Sequence, residues 1–232
     1  MFDPGIVVSI QPRWNSAFNN RLLIVAYAVE CCKHAAAIRI EGVKNVMTLK
    51  ETYNTLTGSH PPIIGLIKDR INELNTRITP FLEHAEWLME AGADYVAMEC
   101  SERIPVDRIG LAVKNNFSII ADVGRFEDAE RAKDLGACAI TTALSGYLNK
   151  KTHPFVEPDL ALVKKCVTLG LPVIAEGRYR TQKHVEAAKE AGAHSVCMGD
   201  AIHEPRNITL FAKLAFDGSL KEHAKNDYLN LN

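Results

Sequence analysis

Residues 62–68 read PIIGLIK, an apolar run that ends in a lysine. The same design recurs along the chain: GIVVSIQ (5–11), AAAIRIE (35–41), DYVAMEC (94–100), SIIADV (118–123), CAITTAL (138–144), PVIAEG (172–177) and HSVCMGD (194–200). Near-continuous apolar strands belong in a parallel sheet covered on both faces, because each face must meet a packed layer. Successive runs start roughly 20 to 35 residues apart, room for one crossover helix each. The segments between them fit that role. FLEHAEWLMEAG (81–92), RFEDAERAKDLG (125–136) and TQKHVEAAKEAG (181–192) carry apolar residues at helical spacing and end in Gly92, Gly136 and Gly192. Glycine just past a helix takes the left-handed cap conformation at little cost. An open doubly wound sheet would announce a glycine-rich loop after its first strand. Here that strand ends in Ser9-Ile10-Gln11-Pro12, and no phosphate-cradling P-loop occurs. The expectation is an α/β chain folded as a single (β/α)8 TIM barrel domain over residues 1–232, with a loosely ordered tail from about Asp217.

The strand ends carry the chemistry. Gln11 closes the first, Arg39 and Glu41 the second, Lys68 and Asp69 the third, and Glu99 the fourth. Asp122 closes the fifth, Thr141 and Thr142 the sixth, Glu176 and Arg178 the seventh, and Asp200 the eighth. In such a barrel these ends converge on the face where active sites form. Buried charge is costly unless something pairs it, so polar residues in step with all eight strands point to a site. Lys68 has three readings: a proton-transfer base with a lowered pKa, a Schiff-base nucleophile, or a structural ion pair with Glu41 or Glu99. Glu176 is a candidate acid or second base, or the partner of Arg39 or Arg178. Arg39 suits a bidentate hold on a planar oxygen pair or an internal ion pair, and Asp122 an orienting role or a plain strand-end cap. Barrels often hold phosphate with the loops after the seventh and eighth strands, which places Gly177, Gly199 and Asp200 at a tentative anion site.

Bulk properties exclude other classes. Net charge is −1, so no broad cationic surface recruits nucleic acid or membrane. No apolar run reaches the about 18 residues that span a bilayer, and the N-terminus lacks the pattern of a signal peptide, which makes a cytoplasmic location the default. The six cysteines form no C-x-x-C pair and the eight histidines no metal-ligand spacing, so free thiols and no metal are expected.

The motifs GIVVSIQP, AIRIEGVKN, PIIGLIK, RITPFLEH, AGADYVAME, IIADV, LSGY, EPDLALVK, VIAEGRY and AIHEPRNIT, in this order from about residue 5 to 212, resemble the N-acetylmannosamine-6-phosphate 2-epimerases. The resemblance implies a cofactor-independent isomerase of sialic-acid catabolism. It would interconvert N-acetylmannosamine 6-phosphate and N-acetylglucosamine 6-phosphate by moving the C2 proton. It implies Lys68 as the catalytic lysine and Glu176 as the active-site glutamate, with Gln11, Arg39, Asp122 and Arg178 on the substrate, and it makes a homodimer plausible, with residues 208–216 as contact surface or as a packed helix. The chain departs from the family pattern at Lys68-Asp69-Arg70, where the family has lysine, arginine, aspartate. It departs again at Glu99, Thr141 and Ala143, and at Asp200 and His203-Glu204-Pro205 in the phosphate loop. Like charges about 4 Å apart repel by roughly 4 kcal/mol at an effective dielectric near 20. The acids at 200 and 204 therefore also leave open a non-phosphorylated substrate or a non-catalytic sugar-binding barrel, unless Arg178 and Arg206 offset them.

Overall fold

The structure is a computed structural model, and it describes residues 1–11, 20–56, 58–72, 75–148, 157–203, 209 and 212–213. In chain order the elements are β1 (Gly5–Ile10), α1 (Arg21–Cys31), β2 (Ala37–Glu41), α2 (Val43–Thr55), β3 (Ile63–Leu66), β4 (Lys68–Asn72), β5 (Asn75–Ile78) and α3 (Leu82–Glu90). They continue with β6 (Tyr95–Glu99), α4 (Asp107–Lys114), β7 (Ile119–Asp122), α5 (Phe126–Asp134), β8 (Ala139–Thr141), α6 (Leu160–Val167), β9 (Val173–Glu176), α7 (Gln182–Glu190), β10 (Ser195–Met198) and α8 (Asp200–His203). Strands β1, β2, β3, β6, β7, β8, β9 and β10 close into one barrel, with β1 paired to β10. Every barrel pairing is parallel, so the expected (β/α)8 architecture is present.

Two caps and three glycines show how the helices are bounded. The side chains of Asn20 and Asp159 accept from the backbone N–H groups of Leu22 and Leu162 at the starts of α1 and α6. Gly92, Gly136 and Gly192 follow α3, α5 and α7 with φ of +96°, +85° and +91°, the backbone that the sequence pattern demanded.

One run ends differently from the expectation. Lys68 does not close a barrel strand: β3 stops at Leu66, and Lys68 opens β4, half of an antiparallel hairpin with β5. The alternating polar residues after Ile67 suit a ribbon lifted off the barrel, and Asp69 forms an ion pair with Arg77 directly across it. The base of the hairpin is closed by Thr79 N–H donating to Ile67 O at 2.7 Å and Ile67 N–H donating to Thr79 Oγ1 at 3.1 Å. The tail from residue 217 lies outside the described residues, as do Glu204, Pro205, Arg206 and most of 208–216.

Strand alternation sorts the core into two shells. Val8, Ile38, Ile40, Ile63, Val96, Met98, Ile119, Ala121, Ile140 and Val173 face the helices. Val7, Ala37, Ile64, Leu66, Ala97, Ile120, Ala139, Ile174 and Cys197 fill the barrel interior. Gly65 on β3 faces the helix shell. A Cβ there would stand 3.0 Å from Leu88 Cδ2 and 3.1 Å from Ala93 Cβ. Gly65→Val is expected to destabilise the fold by about 1–3 kcal/mol through overpacking, read as a lower urea midpoint with an unchanged slope.

Candidate active site

Inner and outer positions alternate with a period of two. The residues two places beyond the interior apolar layer are therefore also inward: Ser9 after Val7, Arg39 after Ala37, Glu99 after Ala97, Asp122 after Ile120, Thr141 after Ala139 and Glu176 after Ile174. Strand register places Ser9 beside Arg39, Glu99 beside Asp122, Asp122 beside Thr141, and Glu176 beside Cys197. A charged layer thus caps an apolar one at the carboxyl ends of the strands.

Its centre is Arg39, whose side chain is 3% exposed. Nη1 donates to Asp122 Oδ1 at 3.0 Å and Nη2 to Asp122 Oδ2 at 2.6 Å, and Nη1 also lies 3.4 Å from Glu176 Oε2. Burial works against the guanidinium charge, but Asp122 and Glu176 outweigh it and hold Arg39 firmly protonated. The fork that sequence reasoning offered to a substrate oxygen is closed on Asp122. What Arg39 still presents is Nε, a buried donor with no hydrogen-bond partner among the described residues.

Glu176 is fixed on several sides. Thr141 Oγ1 donates to Glu176 Oε2 at 3.0 Å, and the Thr142 hydroxyl accepts from the Glu176 N–H at 3.0 Å and donates to its carbonyl at 2.9 Å. Burial pushes the Glu176 carboxyl above its ordinary value. Arg39 opposes the shift and the Asp122 charge adds to it. Cys197, paired with Glu176 in register, is raised well above the usual thiol value by burial and by that carboxylate.

Lys68 looks onto this layer from the hairpin. Its Nζ lies 3.7 Å from Glu41 Oε2, and its side chain is 23% exposed. Burial pushes Lys68 below the ordinary lysine value. Glu41 and Asp200 pull it back up, while Arg70 and Arg39 push it further down. Of the two ion-pair partners weighed for it, only Glu41 is in place. Glu99 is fully buried and committed elsewhere: Oε1 accepts from Ser101 Oγ at 2.5 Å and from Arg103 Nε at 2.9 Å, and Oε2 from the Ile78 N–H at 3.2 Å. It anchors the hairpin rather than the base.

The arc after β9 and β10 is built for support. Gly177 and Arg178 both have positive φ, +99° and +69°, and a non-glycine residue there is strained by about 1–2 kcal/mol. Arg178 Nε donates to Glu157 O at 3.0 Å and Nη1 to Ser145 O at 2.8 Å, with the guanidinium 6.0 Å from the Tyr147 ring. Arg178, read as a substrate ligand, spends these donors on tying three loops together. Ser145 Oγ in turn donates to Asp159 Oδ2 at 2.7 Å, so the LSGY, EPDL and EGRY motifs form one scaffold. Gly199 packs on β1, where an added Cβ would meet Ser9 O at 3.3 Å. Asp200 begins the short helix α8 and is felt electrostatically by Lys68 and by Arg180. Gln11 donates from Nε2 to Ser9 Oγ at 2.6 Å, and its N–H lies 3.5 Å from His203 Nε2. Sequence reasoning passed over Arg180, which follows EGRY by one residue; burial lowers its pKa, against Tyr147 and Asp200. It also left Cys197 among the free thiols, although alternation turns it into the barrel and the β9–β10 register sets it beside Glu176. A cavity of about 650 Å3 lies at the opposite, N-terminal end of the barrel, among Asp3, Lys33, His34, His60 and Tyr95, and holds none of these strand-end residues.

Residues 23–215 match the family model described as "Putative N-acetylmannosamine-6-phosphate epimerase". The chain belongs to this family. It is 37% identical over 221 residues to the "Bifunctional enzyme NanE/NanK" of Brucella suis, covering 93% of this chain but 41% of that protein. It is 37% identical to the "Putative N-acetylmannosamine-6-phosphate 2-epimerase" of Escherichia coli (strain K12 / DH10B), over 88% of both chains. Among solved structures, the N-acetylmannosamine-6-phosphate 2-epimerase from Clostridium perfringens superposes with a TM-score of 0.78 at 26% identity, covering 90% of this chain and 92% of that one. The chain therefore spans less than half of the bifunctional relatives and most of the monofunctional ones.

Family membership leaves the roles of the buried charges to physics. Asp122→Ala strips Arg39 of its fork partner and leaves a buried guanidinium leaning on Glu176 alone. The expected loss is about 3–5 kcal/mol of stability, as for other half-broken buried pairs, measured by equilibrium urea unfolding.

Proposed function

We propose that the protein interconverts N-acetylmannosamine 6-phosphate and N-acetylglucosamine 6-phosphate by moving the proton at C2. The observation that carries this reading is a pair of opposed shifts around one barrel mouth: Lys68 is pushed down and Glu176 is pushed up. Both shifts favour uncharged forms, a neutral amine able to take a proton and a neutral carboxyl able to give one. The names of the relatives supply the substrate class.

The C2 hydrogen is acidic only when C1 is a carbonyl, so the open-chain sugar reacts. Lys68 Nζ takes the C2 proton and leaves an enolate. Glu176 returns its own proton to C2 on the other face, and solvent exchange resets the pair. The reverse reaction exchanges the two roles. Arg39, with Nε still to be satisfied, and Gln11 hold the sugar's oxygens, while Asp122 keeps Arg39 in place. No step calls for a cofactor. The phosphate lies toward Gly177 and Gly199, and Lys68 and Arg180, both electrostatically coupled to Asp200, offset its carboxylate. No helix among the described residues is long and apolar enough to cross a membrane, consistent with action on a dissolved sugar.

Proton NMR in deuterated water separates the two roles. Lys68→Ala is expected to abolish both epimer formation and deuterium entry at C2 of N-acetylmannosamine 6-phosphate. Glu176→Gln should retain C2 exchange while epimer formation falls about 10²–10⁴-fold. Full exchange in Lys68→Ala would remove that lysine from the mechanism. The phosphate is tested by comparing kcat/KM for N-acetylmannosamine with and without it. The phosphorylated sugar should be favoured by at least tenfold, and a preference for the plain sugar would make Asp200 the specificity element.

A further inference from the structure

Glu41 ends β2 with its carboxylate between two cations of the hairpin. Arg70 closes on it as a fork, Nη1 2.7 Å from Oε1 and Nη2 donating to Oε2 at 2.9 Å. Lys68 Nζ lies 3.7 Å from Oε2, outside hydrogen-bond range. Lys68 and Arg70 are two residues apart on β4, so both project from one face of the ribbon and compete for this one acid. The guanidinium matches a carboxylate's two oxygens, whereas an ammonium offers only a point of charge. The contest is therefore uneven.

We propose that Arg70, by engaging both oxygens of Glu41, withholds that carboxylate from Lys68 and is the positioning residue that leaves the Lys68 amine free to take a proton. This rests on Lys68 being the base of the proposed reaction. Without the fork, the Glu41 side chain closes the remaining gap to Lys68, which then sits as a hydrogen-bonded ammonium with no lone pair for C2. The adjacent Asp69–Arg77 pair holds the ribbon in register, so the side chains of residues 68 and 70 keep their common face.

The charged groups that act on Lys68 among the described residues are Glu41 and Arg39 from β2, Arg70 from its own strand and Asp200 from α8. Removing Arg70 has two effects of the same sign. It deletes a neighbouring positive charge, and it releases Glu41; both favour the ammonium. Only the second passes through Glu41, so the two are separated by repeating the change where Glu41 is already neutral.

The test is a 13Cε NMR titration of Lys68 in the full chain without substrate, assigned with Lys68→Ala, together with the pH dependence of kcat/KM. Arg70→Ala should raise the Lys68 midpoint by about one pH unit and move the acid limb of kcat/KM up with it. Glu41→Gln should lower both. In the Glu41→Gln background, Arg70→Ala should shift the midpoint by less than half as much. Arg70→Lys, which keeps the charge without the fork, should fall between wild type and Arg70→Ala. An equal Arg70→Ala shift in both backgrounds would reduce Arg70 to simple repulsion and overturn the proposal, as would no shift at all. The titration needs no turnover. A wild-type chain that shows these shifts but no C2 exchange would contradict the assigned reaction, not the role of Arg70.

Discussion

Arg39 cannot remain charged inside the barrel unless carboxylates meet it, and that requirement organises the mouth. A lone buried charge is worth several kcal/mol of destabilisation. The fork to Asp122, with Glu176 as a second contact, answers it. The answer is asymmetric. Asp122 gives both oxygens to Arg39, while Glu176 receives one long contact and a threonine hydroxyl. One positive charge shared unequally by two acids leaves the second acid under-compensated, and burial then raises its pKa. The same guanidinium is one of the cations that push Lys68 down. A single buried arginine thus pushes the proposed base toward its neutral form and draws the proposed acid toward its charged one, against the burial that raises Glu176.

The price of such a layer is that it needs scaffolding, and much of the polar sequence supplies it. Glu99 anchors the hairpin that carries Lys68, Thr142 brackets the Glu176 backbone, and Arg178 ties Glu157 and Ser145 to the loop after β9. These residues keep donors and acceptors satisfied where the chain leaves the barrel, while Arg39 Nε, at the centre of the layer, keeps a donor unmet among the described residues.

The barrel and its polar rim were legible because both follow from a period of two. Once Ala37 is inside, Arg39 must be inside as well. The division of labour within the rim was not legible, because it depends on distances between strands far apart in sequence. Nothing in AIRIE and IIADV shows that Arg39 and Asp122 close on each other across 83 positions. The hairpin was missed because PIIGLIKD reads equally well as a strand with a polar end. Only the Asp69–Arg77 pairing and the turn back at Thr79 lift Lys68 off the sheet. At Arg178, a lone arginine after a glycine gives no sign of the Glu157 and Ser145 carbonyls that accept from it. Arg180 and Cys197 were overlooked because one follows a stronger motif and the other sits in an apolar run. Asp200 remains the residue where the family resemblance and the local charge pull in different directions, and Lys68 and Arg180 are the cations placed to balance it.

The central claim is that burial raises the Glu176 carboxyl against the pull of Arg39. A 13C titration of the Glu176 carboxyl in the substrate-free protein, assigned with Glu176→Gln, tests it most directly. The expected midpoint lies above the ordinary glutamate value of 4.5 and rises further when Arg39 is replaced by methionine. A midpoint at or below 4.5 in the wild-type chain would mean that Arg39 pairs with Glu176 as fully as with Asp122, and would contradict the account.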